Sequence, residues 1–197
     1  MRQLKSIDTQ KLVLLALLTA VVLVLQLLSS FIPIYPFRLN LVIIPIVIGA
    51  AMISPLAGLW LGFVFGFVVL VSSADVMPFM VFSPLATILV VLFRGALSGL
   101  AAGFTYNALE KRNKTIAVIA AAFVCTITNT GLFVAGMYLF FLPLITEWGA
   151  SGAAEIASFI FIGMIGFNFL IEVIVNLVMC PAIVRLLQFR RTTKAEA

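Results

Sequence analysis

The chain contains no histidine and only two cysteines, Cys125 and Cys180. Without imidazole, and with the two thiols lacking ligand spacing, a His/Cys metal site is excluded. Both cysteines sit inside apolar stretches and read as core thiols. Charge is scarce as well: 10% of residues are charged, against about 25% in an average soluble domain. No G-x-x-x-x-G-K-[ST] segment occurs, so the chain has no P-loop with which to hydrolyse ATP. H-E-x-x-H and G-x-S-x-G are missing too, which leaves no nucleophile–base set for a membrane-embedded enzyme.

What the chain has is apolar surface. Hydrophobic residues make up 64% of its 197 positions, and the mean hydropathy is +1.28. These values belong to an integral membrane protein, and the length suits one domain over residues 1–197. The net charge of +5 then reports orientation in a bilayer and not nucleic-acid binding. The first apolar run, about 21 residues, exceeds the roughly 7–15 residues of a signal-peptide core and lacks a small-x-small cleavage site. It reads as a helix.

A span of ~30 Å of hydrocarbon takes about 20 apolar residues. Six stretches qualify, giving an all-α bundle of six transmembrane helices over 11–187 and a polar tail over 188–197. They run from about Lys11 to Ile32, Leu39 to Ile53, Pro55 to Ser72, Pro84 to Leu109, Thr115 to Leu142 and Ser158 to Leu187. The second is short and carries Pro45, which predicts a bend or an incomplete crossing. Loops are expected over Ser72–Phe82, with Asp75 and Pro78, and over Pro143–Ala157.

The organising stretch is Asn40–Val71, an uncharged helical hairpin turning at Met52–Pro55. Gly58, Gly62 and Gly66 recur every four residues and form one stripe. Such a stripe lets a neighbouring helix approach backbone to backbone, which in lipid stands in for the hydrophobic drive of a soluble core.

Cations set the expected topology. Arg2, Lys5 and Lys11 precede the first span, Lys111, Arg112 and Lys114 follow the fourth, and Arg185, Arg190, Arg191 and Lys194 end the chain. Six crossings put all three groups, and both termini, on the cytoplasmic face. The other face has Arg38 as its cation, with Asp75, Glu147 and Glu155.

Charged side chains at membrane depth mark functional sites by default. Arg94 in the fourth span and Glu172 in the sixth are the two that stand out. At ~1.5 Å per residue, Arg94 lies roughly 16 Å, and Asn129 and Asn168 roughly 18–20 Å, below the outer helix ends. Glu172 is one turn deeper. Thr87, Arg94 and Ser98 share one face, Cys125, Asn129, Phe133 and Gly136 another, and Asn168, Glu172 and Asn176 a third. Lipid would not tolerate these faces, so they are expected to meet. Two readings follow. An Arg94–Glu172 ion pair could simply fix helix register. Alternatively, the polar slab is a pocket opening outward, where Arg94 meets an anionic or carbonyl group bidentately, Asn129 and Asn168 hydrogen-bond a solute, and Glu172 orients Arg94 or accepts from a hydroxyl. A proton relay through Glu172, in a stand-alone proton-coupled solute transporter, is a further alternative.

Tyr35, Arg38 and Asn40, in a short outer loop stiffened by Pro33 and Pro36, would cover the slab as a cationic lid or else anchor the chain at the interface. Asp75–Phe82 is a candidate second lid, and Trp148 an interface-belt aromatic. Ala16 and Ala20, four apart on the first span, make a flat patch for another helix.

Taken together, the Ala16-xxx-Ala20 pair, the hairpin from Pro45 through Ser54-Pro55 to Gly58, Gly62 and Gly66, the basic turn after the fourth span and the Asn129-Thr130-Gly131 step resemble the S component of an energy-coupling factor (ECF) vitamin transporter. The likeness covers about Lys11 to Leu187. It departs at Ser54, where the family usually has glycine. The resemblance implies a substrate-binding subunit of the bacterial cell membrane with no cofactor. Its partners would be a transmembrane T coupling subunit, docked on Ala16 and Ala20, and two ATPase subunits. It implies a vitamin held near the outer face and released inside when the subunit topples. The sequence looks most like pantothenate-type members, and few aromatics near the slab argue against a large stacked ring such as riboflavin. Other vitamins, including folate and thiamine or pyridoxine precursors, stay open.

Overall fold

The computed structural model describes residues 9–31, 41–72, 76–149, 152–165, 169–171, 173–175 and 178, and among these the chain is helical apart from short turns, with no strand. In order these are α1 (Thr9–Phe31), α2 (Ile43–Met52), α3 (Pro55–Ser72), α4 (Met77–Phe82), α5 (Pro84–Leu109), α6 (Lys114–Phe140), α7 (Leu142–Glu147) and α8 (Ala153–Ser158). A π-helical segment, Phe159–Ile165, continues α8. Among the described residues four helices are long and apolar enough to cross a membrane: α1 up to Ser30, α3, α5 and α6.

Two helix starts are served by side chains that bond the orphan N–H groups of the first turn. Ser54 Oγ accepts from Ala57 N at 3.2 Å, and Pro55 follows as the first residue of α3, where its missing N–H costs nothing. Serine therefore caps this turn. Asn113 does the same for α6, its Oδ1 accepting from Thr115 N at 2.9 Å and Ile116 N at 3.2 Å. The ten-residue α2 covers only ~15 Å, about half the hydrocarbon. Pro45 lies in its first turn, where no intrahelical donor is lost, so the expected bend at that residue gives way to a helix start.

Two expected loops are partly helical. Met77–Phe82 forms α4 with Pro78 in its first turn, and Leu142–Glu147 forms α7 with Pro143 likewise. Proline acts in both as an initiator. α7 stops at Gly149, whose φ of 99° is left-handed, and Ala153–Ser158, expected as loop and helix start, is already helix.

The packing centre is the antiparallel α3–α5 pair, where the glycine stripe predicted on α3 meets a second one. A Cβ on Gly58 would strike Gly99 O, one on Gly62 would strike Gly95 O, and one on Gly66 would lie 2.8 Å from Val91 O. In reverse, Gly95 and Gly99 face the Gly62 and Gly58 carbonyls, and Gly103 faces Pro55. These contacts are backbone on backbone, so dispersion, not exclusion of water, holds the pair. α2 lies on the same pair, with Gly49 against Leu61 and Ala50 against Gly58. α1 is joined to α3 by two polar ties. Trp60 Nε1 donates to Thr19 Oγ1 at 3.3 Å, and the Ser30 and Ser72 hydroxyls are 3.0 Å apart.

Candidate functional site

α5 begins at Pro84 and α6 ends at Phe140. Arg94 is then ~15 Å from the first of these ends and Asn129 ~17 Å from the second, as the antiparallel pair requires for a shared slab. The two faces predicted to meet do so. The Arg94 guanidinium carbon lies 4.9 Å from the centre of the Phe133 ring, and a Cβ on Gly136 would lie 2.6 Å from Val90 Cγ1. Thr87, Ser98 and Cys125, which share those two faces in sequence, are buried.

The polar groups of that seam divide into two kinds. Thr87 Oγ1 donates to Ser83 O at 2.8 Å, Ser98 Oγ to Gly95 O at 2.8 Å and Thr126 Oγ1 to Ala122 O at 3.1 Å. These hydroxyls bond back to their own helices, as membrane Ser and Thr commonly do. Arg94 and Asn129 are different. Arg94 is half-buried, and its cation faces an aromatic quadrupole, an attraction that strengthens out of water. Asn129 is only 7% exposed, and its Oδ1 is buried with no hydrogen bond among the described residues. A buried amide oxygen without a donor costs about 1–3 kcal/mol. A cation and an open acceptor on facing helices can bind a solute that brings an anion or carbonyl and a donor.

Of the other expected site residues, Tyr35, Arg38, Asn40, Asp75, Asn168 and Glu172 lie outside the described residues. Ala16 and Ala20 are exposed on α1, on the side opposite the buried Leu18, Val22 and Gln26.

An aromatic cluster escaped the sequence reading. Phe79 packs edge-on against Phe141 at 5.0 Å and Trp148 at 5.7 Å, Phe82 lies 6.2 Å from Phe141, and Trp148 lies 6.0 Å from Phe159. Trp148 thus packs on neighbouring rings, whatever it also does at an interface. Phe133 borders this cluster and is the ring that Arg94 meets, while Phe141, at the end of α6, is ~18 Å along the helix from Asn129. The available signal was the placement of Pro78 and Pro143, each opening a short helix that brings phenylalanine or tryptophan inward.

Four apolar helices of spanning length among the described residues, with a polar seam between two of them, define a polytopic membrane protein. A family model described as ECF transporter, substrate-specific component, matches residues 10–184. The chain therefore belongs to that family: it is a transport subunit that binds a small molecule and works with ECF T and ATPase subunits. No curated protein and no solved structure matches it significantly.

Proposed function

We propose that this subunit captures pantothenate from outside the cell and releases it inside by toppling in the membrane, driven by two ATPase subunits acting through the T subunit. The observation that carries the reading is the α5–α6 seam, where Arg94 is held against Phe133 and Asn129 keeps a buried acceptor. Pantothenate offers a carboxylate for Arg94 and an amide and two hydroxyls for asparagine and glutamate partners. In this reading Asn168 and Glu172 complete the slab, and Tyr35, Arg38, Asn40 and Asp75 form the outer lids. Six crossings with both termini cytoplasmic are part of the same reading, supported by the clustering of Lys and Arg in three segments.

Ala16 and Ala20 are the proposed contact for the T subunit. Their exposure supports this. A second reading, a ring-bearing vitamin, is favoured by the Phe79–Phe141–Trp148–Phe159 cluster.

The test is binding of radiolabelled pantothenate, thiamine, pyridoxine, riboflavin and folate to the purified chain, with uptake measured in vesicles holding the full complex. The expected result is saturable binding of pantothenate by the isolated chain and ATP-dependent uptake only in the complex. Binding of a ring-bearing vitamin in its place selects the second reading. Uptake that needs a proton gradient and no ATPase contradicts both. Ala16→Trp and Ala20→Trp are expected to leave binding intact and stop uptake; lost binding would remove their docking role.

A further inference from the structure

The two polar groups of the α5–α6 seam are unequal, and the inequality restricts which solutes fit. Phe133 and Asn129 are four residues apart on one face of α6, so the ring that carries the Arg94 cation stands one turn, ~6 Å, from the asparagine amide. Asn129 Oδ1 is buried with no hydrogen bond among the described residues. The neighbouring Thr126 hydroxyl, fully buried, does not serve it, because its proton goes to Ala122 O. The Ser98 hydroxyl likewise gives its proton to Gly95 O. Arg94 Nε is likewise buried without a hydrogen bond among the described residues, so the seam holds a buried donor on α5 and an open acceptor on α6 while its hydroxyls are committed elsewhere. Such an acceptor suits recognition, since a site built around a solute donor rejects analogues that lack it.

We infer that Asn129 Oδ1 is a specificity acceptor, and that the solute must carry an O–H or N–H donor about one helical turn from the acidic group met by Arg94. This rests on the reading of the seam as the solute site and sharpens it. Acids with only acceptors or only apolar atoms at that distance are rejected, and the family's substrate range narrows to hydroxy- or amido-acids of that span. The folded chain bears an uncompensated acceptor until the solute supplies the donor.

Two measurements on the full chain in detergent test the inference. The first is thermal unfolding without solute. Asn129→Leu, the apolar shape-match, is expected to raise Tm by about 3 °C, with Asn129→Val as the guard against overpacking. Thr126→Val, which removes a hydroxyl already satisfied, is expected to give no rise. If both Asn129 variants lower Tm, or Thr126→Val raises it equally, Asn129 is a structural residue and the inference falls. The second is binding of pantothenate and its two mono-deoxy analogues. One deoxy analogue is expected to bind the wild type at least about tenfold more weakly and to bind Asn129→Leu as well as pantothenate does. Equal binding of all three by the wild type, or the same loss in Asn129→Leu, overturns it. Should pantothenate not bind at all, the substrate named above fails, while the unfolding comparison still decides the role of Asn129.

Discussion

Helix α5 makes two seams, and they are built on opposite rules. Toward α3 it presents Gly95, Gly99 and Gly103, and the nearest atoms across the gap are backbone carbonyls and Pro55. Toward α6 it presents Val90 and Arg94, and the contacts are made by side chains: Arg94 on the Phe133 ring and Val90 over Gly136. A backbone cannot yield, whereas a side-chain end can rotate. The first seam is therefore a fixed joint, and the second, made by side chains, can hold polarity. Membrane bundles need both, because lipid gives apolar helices little reason to associate and every polar group needs a partner.

That contrast can be broken most forcefully at Gly62. Gly62→Ala drives a Cβ into the Gly95 carbonyl, and position 95 is already glycine, so no partner change can relieve it. The expected cost is about 3 kcal/mol or more, seen as loss of monodisperse protein in detergent. A Gly62→Ala chain with wild-type elution and Tm would show that the glycine joint is not required. On the other seam, Gly136→Ala brings a Cβ to 2.6 Å from Val90 Cγ1. The expected cost is about 1–2 kcal/mol, and Val90→Ala in the same chain should restore most of it, read by thermal unfolding. Failure of that rescue would mean the α5–α6 seam is as rigid as the first. The smallest effect belongs to Gly131, where an added Cβ meets nothing within 4 Å. Gly131→Ala should be neutral or stabilising by about 0.5–1 kcal/mol through helix propensity. A marked fall in Tm there would point to a contact that the open surface does not account for.

Much of this architecture could be read in the residues themselves. Pro55 and Pro84 open helices that end at Ser72 and Leu109, as expected, because each proline sits where a first turn tolerates it. Gly58, Gly62 and Gly66 announced a close approach, and the approach exists. What periodicity alone could not say was which helix would receive that stripe. Gly95, Gly99 and Gly103 repeat the same spacing, but only the fold pairs them antiparallel. Pro78 and Pro143 misled in the other direction. The same residue type ends one helix and starts another, and only the following turn of α4 or α7 distinguishes the cases.

The candidate site was half legible. A charge and an amide inside apolar runs single out Arg94 and Asn129 from sequence, since their cost in lipid demands a reason. Their relation to Phe133 and the committed hydroxyls of Thr87, Ser98 and Thr126 could not be read that way. Those depend on rotamers and on the rotation of α5 against α6, which hydropathy does not encode. Phe79 and Trp148 lie 69 residues apart in sequence, as their numbers show, and no local pattern joins them.

The most direct measurement is the affinity of the purified Arg94→Ala chain for radiolabelled pantothenate, read beside its elution profile and Tm. A solute site in the α5–α6 seam predicts loss of saturable binding, at least about a hundredfold for a desolvated charge-assisted contact, in a chain that still elutes as folded protein. Affinity within about twofold of the wild type would contradict it and leave Arg94 as a structural residue of the seam.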